Sequence, residues 1–513
     1  MKKYIYLLAT NLLLFGTVSC TEELTQIPLS QGTVENFYAT PGDFIQARNA
    51  VYSVAFHGTG TYGYANRVLN LSETRSDNLL AFTTASRDWE GINSFYKSIS
   101  ANSYVREAYT SNYNAIYKAN QLLEKLAEKG DQIFTNPADK ASMIAEARFL
   151  RAFCYFDLIR WFGRVPLIDR TMTAQETAKI ARTPVVDIYN LIISDLQLAI
   201  PDLTASTADA AYFGRVTKYG AKGLLGLVYM TRSSPTYGID GAMLGLNEWD
   251  KAYQQLNDIK SSGLFVFSTD YANIFKTEGT ANKENVLTIP YTQSVASSIG
   301  GNFVIEVGNE NYFASLGLSQ QGSLEARPIS TGFLNMFADT DNRKIFGIAT
   351  TYTVTSGNLK GTYTLPVFKK YIDPSRYGTG GREDWGVDFM VMRYTDVLMM
   401  MAECTLHGGG GTQADVDEIV NKVRTRAGVP ANASNITLDQ LFDERRKEFF
   451  SEGTRWFDLI RSGNAITIMN AWKAAEDTGN KILTIDKNML LYPIPLQEIL
   501  AVPGLYDQNP GYD

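Results

Sequence analysis

The feature that most constrains the fold is a segment with helical apolar periodicity that carries two separate apolar stripes. Between residues 141 and 161, one stripe recurs every three or four residues and the other is aromatic. The first stripe is Met143, Ala147, Leu150, Cys154, Leu158 and Trp161, and the second is Phe149, Phe153 and Phe156. Residues at this spacing share one face of an α-helix. The segment therefore predicts a helix that is covered on two sides, inside a layered helical array.

Similar periodicity predicts further helices, and the early ones are separated by short links. They cover residues 33–56, 103–128, 138–162, 184–200, 215–232, 247–262, 391–406, 413–427 and 437–462. Paired helices with short links are typical of helix–turn–helix solenoids of the tetratricopeptide type, although no clean 34-residue signature is present. We expect a mainly α fold, with a tetratricopeptide-like helical-repeat scaffold over about 33–262 and 391–463.

Two stretches lack this periodicity, at about 57–100 and 263–390. They are rich in Gly, Ser, Thr and Asn, and the second contains short β-like runs at 264–267 and 286–289. Long irregular stretches in a compact protein are usually functional. We therefore expect one composite domain over residues 20–513, in which a long irregular loop and short-strand insertion forms a variable, loop-rich region.

The first nineteen residues have the pattern of a signal peptide. Lys2 and Lys3 precede an apolar run over 4–15 that is too short to span a bilayer, and small residues lead to Cys20. This pattern resembles a bacterial lipoprotein signal, in which the cysteine is acylated. Thr17 stands where such signals usually carry Leu, so plain secretory cleavage is the alternative. No later apolar run is long enough to cross a bilayer, so we expect membrane attachment through lipid.

The remaining composition argues against several classes of function. With 47 basic and 54 acidic residues and no basic run, the chain gives no indication of nucleic-acid binding. Cys154 and Cys404 lie in apolar helical patterns, which favours free, buried thiols. His57 and His407 each precede a glycine at a helix end, where a capping or surface role is expected. Residues 58–63 spell Gly-x-Gly-x-x-Gly, but no strand precedes them.

Motifs of common catalytic sites are missing from the sequence. It contains no Gly-x-Ser-x-Gly, His-Glu-x-x-His or Cys-x-x-Cys. We expect no catalytic residue, no metal and no cofactor. A glycosidase with two carboxylates that meet in space stays open, because such a pair leaves no local signature.

Several blocks of sequence identify a family. They are residues 146–157 (EARFLRAFCYFD) with 162–166 (FGRVP), residues 392–398 (MRYTDVL), residues 421–428 (NKVRTRAG), residues 444–459 with the ending RWFDL, and the tail from 492–495 (YPIP) to 508–512 (QNPGY). Together with Cys20, they resemble the SusD/RagB family of outer-membrane nutrient-binding lipoproteins. The resemblance runs from the anchor cysteine to the end of the chain.

The resemblance implies a fold, a ligand and a partner. It implies a tetratricopeptide-like scaffold and a TonB-dependent, SusC-like outer-membrane transporter that the lipoprotein caps. Most such proteins bind oligosaccharides, and some serve peptides. Glu22 and Glu23, just behind Cys20, resemble the signal that sends such lipoproteins to the outer face. We therefore expect a lipid-anchored protein of the outer membrane that faces the extracellular side.

The charged motif near the C-terminus favours a structural role. Glu444, Glu448 and Glu452 are four residues apart, with Arg445 and Arg455 close enough to pair. Buried charges are costly without partners, so a packed helix would hold them as a network.

Ligand candidates come from the irregular stretches. A sugar needs a flat aromatic ring for its C–H face and planar polar side chains for its hydroxyls. Residues 77–96 supply both kinds, at positions where the family resemblance implies ligand contacts. The candidates there are Asp77, Asn78, Arg87, Trp89, Asn93, Phe95 and Tyr96. The alternative for Trp89 is that it anchors the loop to the core.

Two further clusters lie in the insertion. They are Asn309, Asn311, Tyr312 and Phe313, and the glycine-flanked Arg382, Asp384 and Trp385. We expect Trp89 first and Trp385 second to be ring platforms. The function expected is capture of oligosaccharide or polysaccharide for a transporter. Rival interpretations are a peptide ligand, a hydrolase, and a pure scaffold whose tryptophans contact protein.

Overall fold

The computed structural model describes residues 37–58, 63–81, 88–205, 213–276, 279–294, 300–318 and 327–513. Cys20 and Arg87 lie outside these ranges, as do residues 59–62 of the Gly-x-Gly-x-x-Gly pattern. The chain divides into two compact units, residues 1–46 and 47–513. In the first unit, the Asp43 carboxylate accepts the backbone N–H of Thr40 at 2.7 Å, where a helix begins.

Helices of seven or more residues contain most of the helical residues in the described part of the chain. They are α1 (Pro41–Tyr52), α2 (Ser103–Ile133), α3 (Pro137–Phe162), α4 (Val185–Ala199), α5 (Lys218–Ser233), α6 (Trp249–Ser261), α7 (Tyr394–Leu406), α8 (Gln413–Arg426), α9 (Leu438–Phe449), α10 (Arg455–Arg461) and α11 (Ala465–Glu476). Shorter α-helices are Tyr64–Val68, Asp88–Asn93, Ala174–Thr177, Tyr271–Lys276, Glu310–Ser315, Thr331–Leu334, Asn342–Gly347 and Leu496–Ala501. Asparagine and threonine side chains begin several of the long helices: Asn102 caps α2, Asn136 caps α3 and Thr217 caps α5.

The long helices pack against their neighbours in chain order. α2 lies on α3, α3 on α4, α5 on α6, α6 on α7, and α7 on α8. This is the arrangement expected of a tetratricopeptide-like scaffold, and the predicted mainly α fold is confirmed. In α3, every residue from Ala145 to Phe162 is buried except Arg148 and Arg160. The two apolar stripes therefore make α3 an inner helix, as predicted.

In the described ranges, short strands form four antiparallel pairs. β1 (Val165–Pro166) pairs with β2 (Arg182–Thr183), β3 (Asn285–Ile289) with β8 (Phe389–Arg393), β4 (Ile348–Ala349) with β7 (Val367–Phe368), and β5 (Tyr352–Val354) with β6 (Gly361–Tyr363). The β3–β8 pair matters most for the site. Its register places Asn285 opposite Arg393 and Ile289 opposite Phe389. The insertion therefore leaves the scaffold and returns to it at one two-stranded ribbon.

Two local predictions need correction. The helix predicted over 437–462 is two helices, α9 and α10, because the turn between them contains left-handed residues, Ser451 at φ 62° and Gly453 at φ 73°. A Cβ at Gly453 would lie 2.6 Å from the side chain of Val68, so glycine also permits this close approach. The run 264–267, predicted as β-like, is not part of a strand, whereas β3 matches the second predicted run.

The predicted free thiols are confirmed, since Cys154 and Cys404 are both unbridged and buried. Burial raises the pKa of the Cys154 thiol to about 12. Within the ranges that the structure describes, no helix combines the length and apolar character needed to cross a membrane.

Candidate ligand-binding surface

The three glutamates spaced four residues apart near the C-terminal end of the scaffold, Glu444, Glu448 and Glu452, form a buried ion-pair network. Glu444 and Glu448 have no exposed surface. Arg343 lies 2.6 Å from the Glu444 carboxylate, and Arg393 lies 2.7 Å from Glu448 and 2.9 Å from Glu452. Burial raises the pKa of Glu444, but Arg343 and other nearby cations outweigh it and lower that pKa to about 2. The network holds the insertion against α9, which is the structural role predicted for it.

The partners of the predicted arginines differ from those expected. Arg445 pairs with Asp458 at 3.0 Å and with Asp396 at 2.8 Å, and Arg455 pairs with Asp77 at 2.8 Å. The expectation that these arginines neutralise the three glutamates is wrong. The reason is geometric: on α9, Arg445 is the residue after Glu444, and its side chain leaves the helix in a different direction.

Asp77 is an interior ion-pair residue. Its residue surface is 1% exposed, and both Arg455 and Arg446 reach its carboxylate, at 2.8 Å and 3.1 Å. Burial raises the pKa of Asp77, but the two guanidinium groups outweigh it and lower the pKa to about 2. Its hydrogen-bonding capacity is used inside the protein, so the prediction of Asp77 as a ligand contact is corrected.

The two predicted asparagines are also buried and fully engaged. Both have 0% exposure. The Asn78 side-chain amide donates to the Glu73 carboxylate at 2.8 Å. The Asn93 side chain accepts the backbone N–H of Ala81 at 2.9 Å and donates to the carbonyl of Thr74 at 2.6 Å. They fold the polypeptide around 74–81, and a ligand cannot reach them without breaking these bonds.

Trp89 lies at the edge of the interior, with 7% of its surface exposed. The guanidinium of Arg327 lies over its indole, 5.1 Å from the ring centroid. Arg327 also forms an ion pair with Glu306 and donates to the Asn70 side chain at 2.8 Å. A covered indole is not an open stacking platform. Among the described residues of the stretch 77–96, Tyr96 is the aromatic residue most open to solvent, at 36%.

Trp385 is fully buried, which corrects its prediction as a ring on a mobile tip. Its indole N–H donates to the carbonyl of Arg382 at 3.0 Å. Its ring packs against Tyr377 and Phe313, with centroids 5.0 Å and 5.9 Å away. Asp384 folds the glycine-rich turn inward by accepting the backbone N–H of Gly380 at 2.7 Å.

Tyr312 lies on the short helix Glu310–Ser315 and is 8% exposed. Its ring meets Tyr352 edge-on, with centroids 5.3 Å apart. The neighbouring Asn309 caps this helix and donates to the Tyr352 hydroxyl at 2.7 Å. Tyr312 therefore keeps only one edge towards solvent, and it lines a pocket that is described below.

Although most of these side chains are buried, the fold brings the predicted clusters together through one short element, the 3₁₀ turn Asn302–Glu306. At its start, the backbone N–H of Gly301 donates to the Trp385 carbonyl at 2.7 Å. At its end, Glu306 pairs with Arg327, which covers Trp89. We call this continuous set the seam, defined as Trp89, Arg327, Glu306, Gly301 and Trp385.

The solvent-reachable chemistry of the seam comes from residues that sequence reasoning missed. The side chains of Arg327 and Glu306 keep 10% and 15% of their surface exposed. A guanidinium and a carboxylate side by side can donate to and accept from adjacent hydroxyls, beside the edge of an aromatic ring. No motif marks these two residues in the sequence, because their role depends on a contact 21 residues apart along the chain.

Among the described residues, no group of three His, Cys, Asp or Glu side chains is arranged to hold a metal ion. His57 shows how burial limits proton chemistry, since desolvation lowers its pKa to about 4.

Comparison with known proteins gives consistent matches along the chain. Residues 270–512 match the SusD family, and residues 49–230 match a family described as starch-binding and associating with the outer membrane. The SusD-like protein P2 of Formosa agariphila is 27% identical over 556 aligned positions that cover 100% of both chains.

Solved structures share the fold. Surface glycan-binding protein A from Bacteroides fluxus superposes with a TM-score of 0.76 at 22% identity, covering 92% of this chain and 100% of that one. The protein of the same name from Bacteroides thetaiotaomicron, in complex with laminarihexaose, gives a TM-score of 0.75 at 20% identity with the same coverage.

Proposed function

The chain belongs to the SusD/RagB family, and from that premise we propose that it is a cell-surface lipoprotein that binds oligosaccharide or polysaccharide and delivers it to a TonB-dependent outer-membrane transporter. The observation that carries the proposal is the match to the two families, together with a fold shared with a protein solved with laminarihexaose bound. Cys20 would be the acylated anchor, and several acyl chains together give durable attachment.

In the proposed mechanism, the protein binds the glycan and does not cleave it. The seam presents Arg327 and Glu306 beside the edge of Trp89, and these polar groups would grip sugar hydroxyls in pairs. Trp89 and Trp385 keep a place in this proposal as rigid supports and not as open platforms, because both are mostly covered. Tyr96 is the exposed aromatic of the same stretch and would supply the stacking face.

Binding is favoured over hydrolysis by the fate of the buried carboxylates. A glycosidase needs one carboxylic acid and one carboxylate that both reach the glycosidic bond. Asp77, Glu444 and Glu448 are closed inside ion pairs, and the more accessible Glu306 is paired with Arg327. A screen of the chain from residue 21 against neutral oligosaccharides and peptides tests the ligand class. Glycan binding supports the proposal. Binding confined to peptides would contradict the assignment of a sugar as the ligand.

Delivery to a transporter has its own test. The full chain carrying a C-terminal affinity tag is expressed in its source cells and isolated from detergent-solubilised outer membranes. The proposal predicts that a TonB-dependent transporter co-purifies with it and that uptake of the bound glycan stops when the chain is deleted. Unimpaired uptake after deletion would contradict the delivery step.

A further inference from the structure

A pocket whose lining shares no residue with the seam contains one of the aromatic residues predicted from the sequence, Tyr312. It has a volume of about 590 Å³ and is lined by Thr269, Asp270, Tyr271, Ala272, Tyr312, Asn342, Ile345, Phe346, Lys369, Ile372 and Arg426. This volume falls within the range of roughly 300–1,000 Å³ that is usual for small-molecule sites. We call it the Lys369 pocket.

Two aromatic side chains of the pocket are held rigidly from behind. Phe346, half-buried on the short helix Asn342–Gly347, stacks on Phe275 with centroids 5.8 Å apart and an interplanar angle of 24°. Tyr312 is fixed by its edge-on contact with Tyr352. Ile345 adds an apolar side chain that is 56% exposed. Rigid apolar walls of this kind suit the C–H face of a sugar ring, because they lose little conformational freedom on binding.

Polar groups of the pocket keep hydrogen-bonding capacity for a ligand. The Asn342 side-chain amide donates to the carbonyl of Arg426 at 3.0 Å, and its oxygen remains an acceptor. Thr269 is exposed and carries a hydroxyl. Arg426 itself is committed to Glu284 and Glu448, at 3.0 Å and 2.7 Å. Its charge is therefore already balanced.

The two lysines that follow β7, Lys369 and Lys370, differ in whether their ammonium groups have partners. Lys370 is buried, and its ammonium donates to two backbone carbonyls and to Glu452 at 2.9 Å. Lys369 is half-buried in the pocket, and its ammonium makes no hydrogen bond or ion pair with any described residue. Desolvation alone lowers the pKa of Lys369, with no carboxylate acting against it. A half-desolvated cation with no ion-pair partner among the described residues favours an anion in the pocket.

We propose that the Lys369 pocket is a second saccharide-binding site, selective for a sugar that carries a carboxylate, such as a uronic acid residue. Lys369 would pair with the carboxylate, while Phe346 and Ile345 face the ring and the largely covered Tyr312 bounds the pocket. The site goes beyond the proposed capture of neutral glycan at the seam and does not depend on it. Asp270 is the opposing charge of the pocket, exposed to solvent and bonded to the backbone N–H of Ala272 at 2.8 Å.

Calorimetric titration of the chain from residue 21 with trigalacturonic acid, a neutral trisaccharide and a sulfated trisaccharide tests this site. K369M keeps the aliphatic stem and removes the charge, K369R keeps the charge, and K360M removes an exposed lysine elsewhere as a matched control. We expect K369M to weaken trigalacturonate binding about tenfold or more, because a charge-assisted hydrogen bond is lost. K369R and K360M should retain it, and D270N should strengthen it.

A second readout separates the site from folding. Because Lys369 has no partner among the described residues, K369M should not lower the melting temperature. Absence of trigalacturonate binding, or binding that K369M leaves unchanged, would overturn the proposal. Lys369-dependent binding of the sulfated trisaccharide alone would overturn the carboxylate assignment. Neutral-glycan binding in the same titrations reports on the seam, so failure of one site is distinguishable from failure of the other.

Discussion

The guanidinium of Arg327 lies over the indole of Trp89, 5.1 Å from the ring centroid, and at the same time pairs with Glu306. This contact joins two segments that are more than 200 residues apart in the chain. Because Arg327 covers the indole, Trp89 supports the Arg327–Glu306 ion pair and is not an open stacking surface. If the seam binds glycan as proposed, recognition at this position should depend on Arg327 more than on the exposed area of the tryptophan.

Replacing Arg327 tests this dependence directly. R327M should weaken neutral-glycan binding by about tenfold or more, because Glu306 loses its partner and the donors to hydroxyls disappear. Calorimetric titration measures the loss, and circular dichroism checks that the fold is retained. R170M is the matched control, since Arg170 is an exposed arginine in a surface pair with Glu176. Equal affinities for R327M and the unaltered chain would remove the seam as the site.

Asp77 should matter for stability and not for binding. D77N removes the buried carboxylate that both guanidinium groups contact, so we expect the free energy of unfolding to fall by about 3–5 kcal/mol. Chemical denaturation measures this change. A D77N variant that is as stable as the unaltered chain but binds no glycan would restore Asp77 as a ligand contact.

The contribution of Asp77 should also depend on pH. Its pKa in the folded state is about 2, below the usual value of about 3.9 for Asp in an unfolded chain. A lowered folded-state pKa gives stability that is present above about pH 4 and is lost as the pH falls towards 2, by about 2–3 kcal/mol. The stability difference between the unaltered chain and D77N should shrink over this interval. A difference that stays constant from pH 5 to pH 2.5 would contradict the assignment.

The turn between α9 and α10 requires glycine at position 453. Its φ of 73° disfavours a side chain, and a Cβ would lie 2.6 Å from Val68. G453A should lower the melting temperature more than G357A, because Gly357 has a similar φ of 77° but open space around it. G357A should lower the free energy of unfolding only by the cost of placing a side chain in a left-handed backbone conformation, about 1–2 kcal/mol. Equal losses for the two variants would show that packing against Val68 does not constrain the turn.

Cys20 should control where the protein resides. In cells that express C20A, we expect the chain to leave the membrane fraction and to lose labelling by a radioactive fatty acid. Cell fractionation and immunoblotting measure the change, and C154A is the control because Cys154 is buried and free. Membrane attachment that survives in C20A would favour a different anchor, whereas an unaltered chain that is absent from the membrane fraction would favour plain secretory cleavage.

Sequence periodicity was sufficient for the scaffold and insufficient for the site. Most long helices are predicted within a few residues, because apolar spacing reports directly on which face is buried, as in α3. The exceptions are α1, which begins at Pro41 and not at 33, and α2, which continues to Ile133. The break between α9 and α10 was missed, because Gly453 and Ser451 act through backbone conformation and a contact with Val68 that no local pattern encodes.

The candidate site illustrates the other limit. Polar and aromatic residues in an irregular stretch are equally compatible with recognition and with internal hydrogen bonding. Asn78 and Asn93 proved to be used internally, and Trp385 is buried. The sequence does not predict the roles of Arg327, Glu306 and Lys369. A single charged residue in a loop carries no sequence signal until its neighbours in the fold are known.

The measurement that most directly tests glycan capture is a titration of the chain from residue 21 with a panel of neutral oligosaccharides that includes laminarihexaose, with chromatography of the same samples after prolonged incubation. Glycan capture at the seam predicts saturable binding of one glycan class, loss of that binding in R327M, and recovery of the oligosaccharide intact. Shortened oligosaccharides in the incubated samples, or no binding to any glycan of the panel, would contradict it.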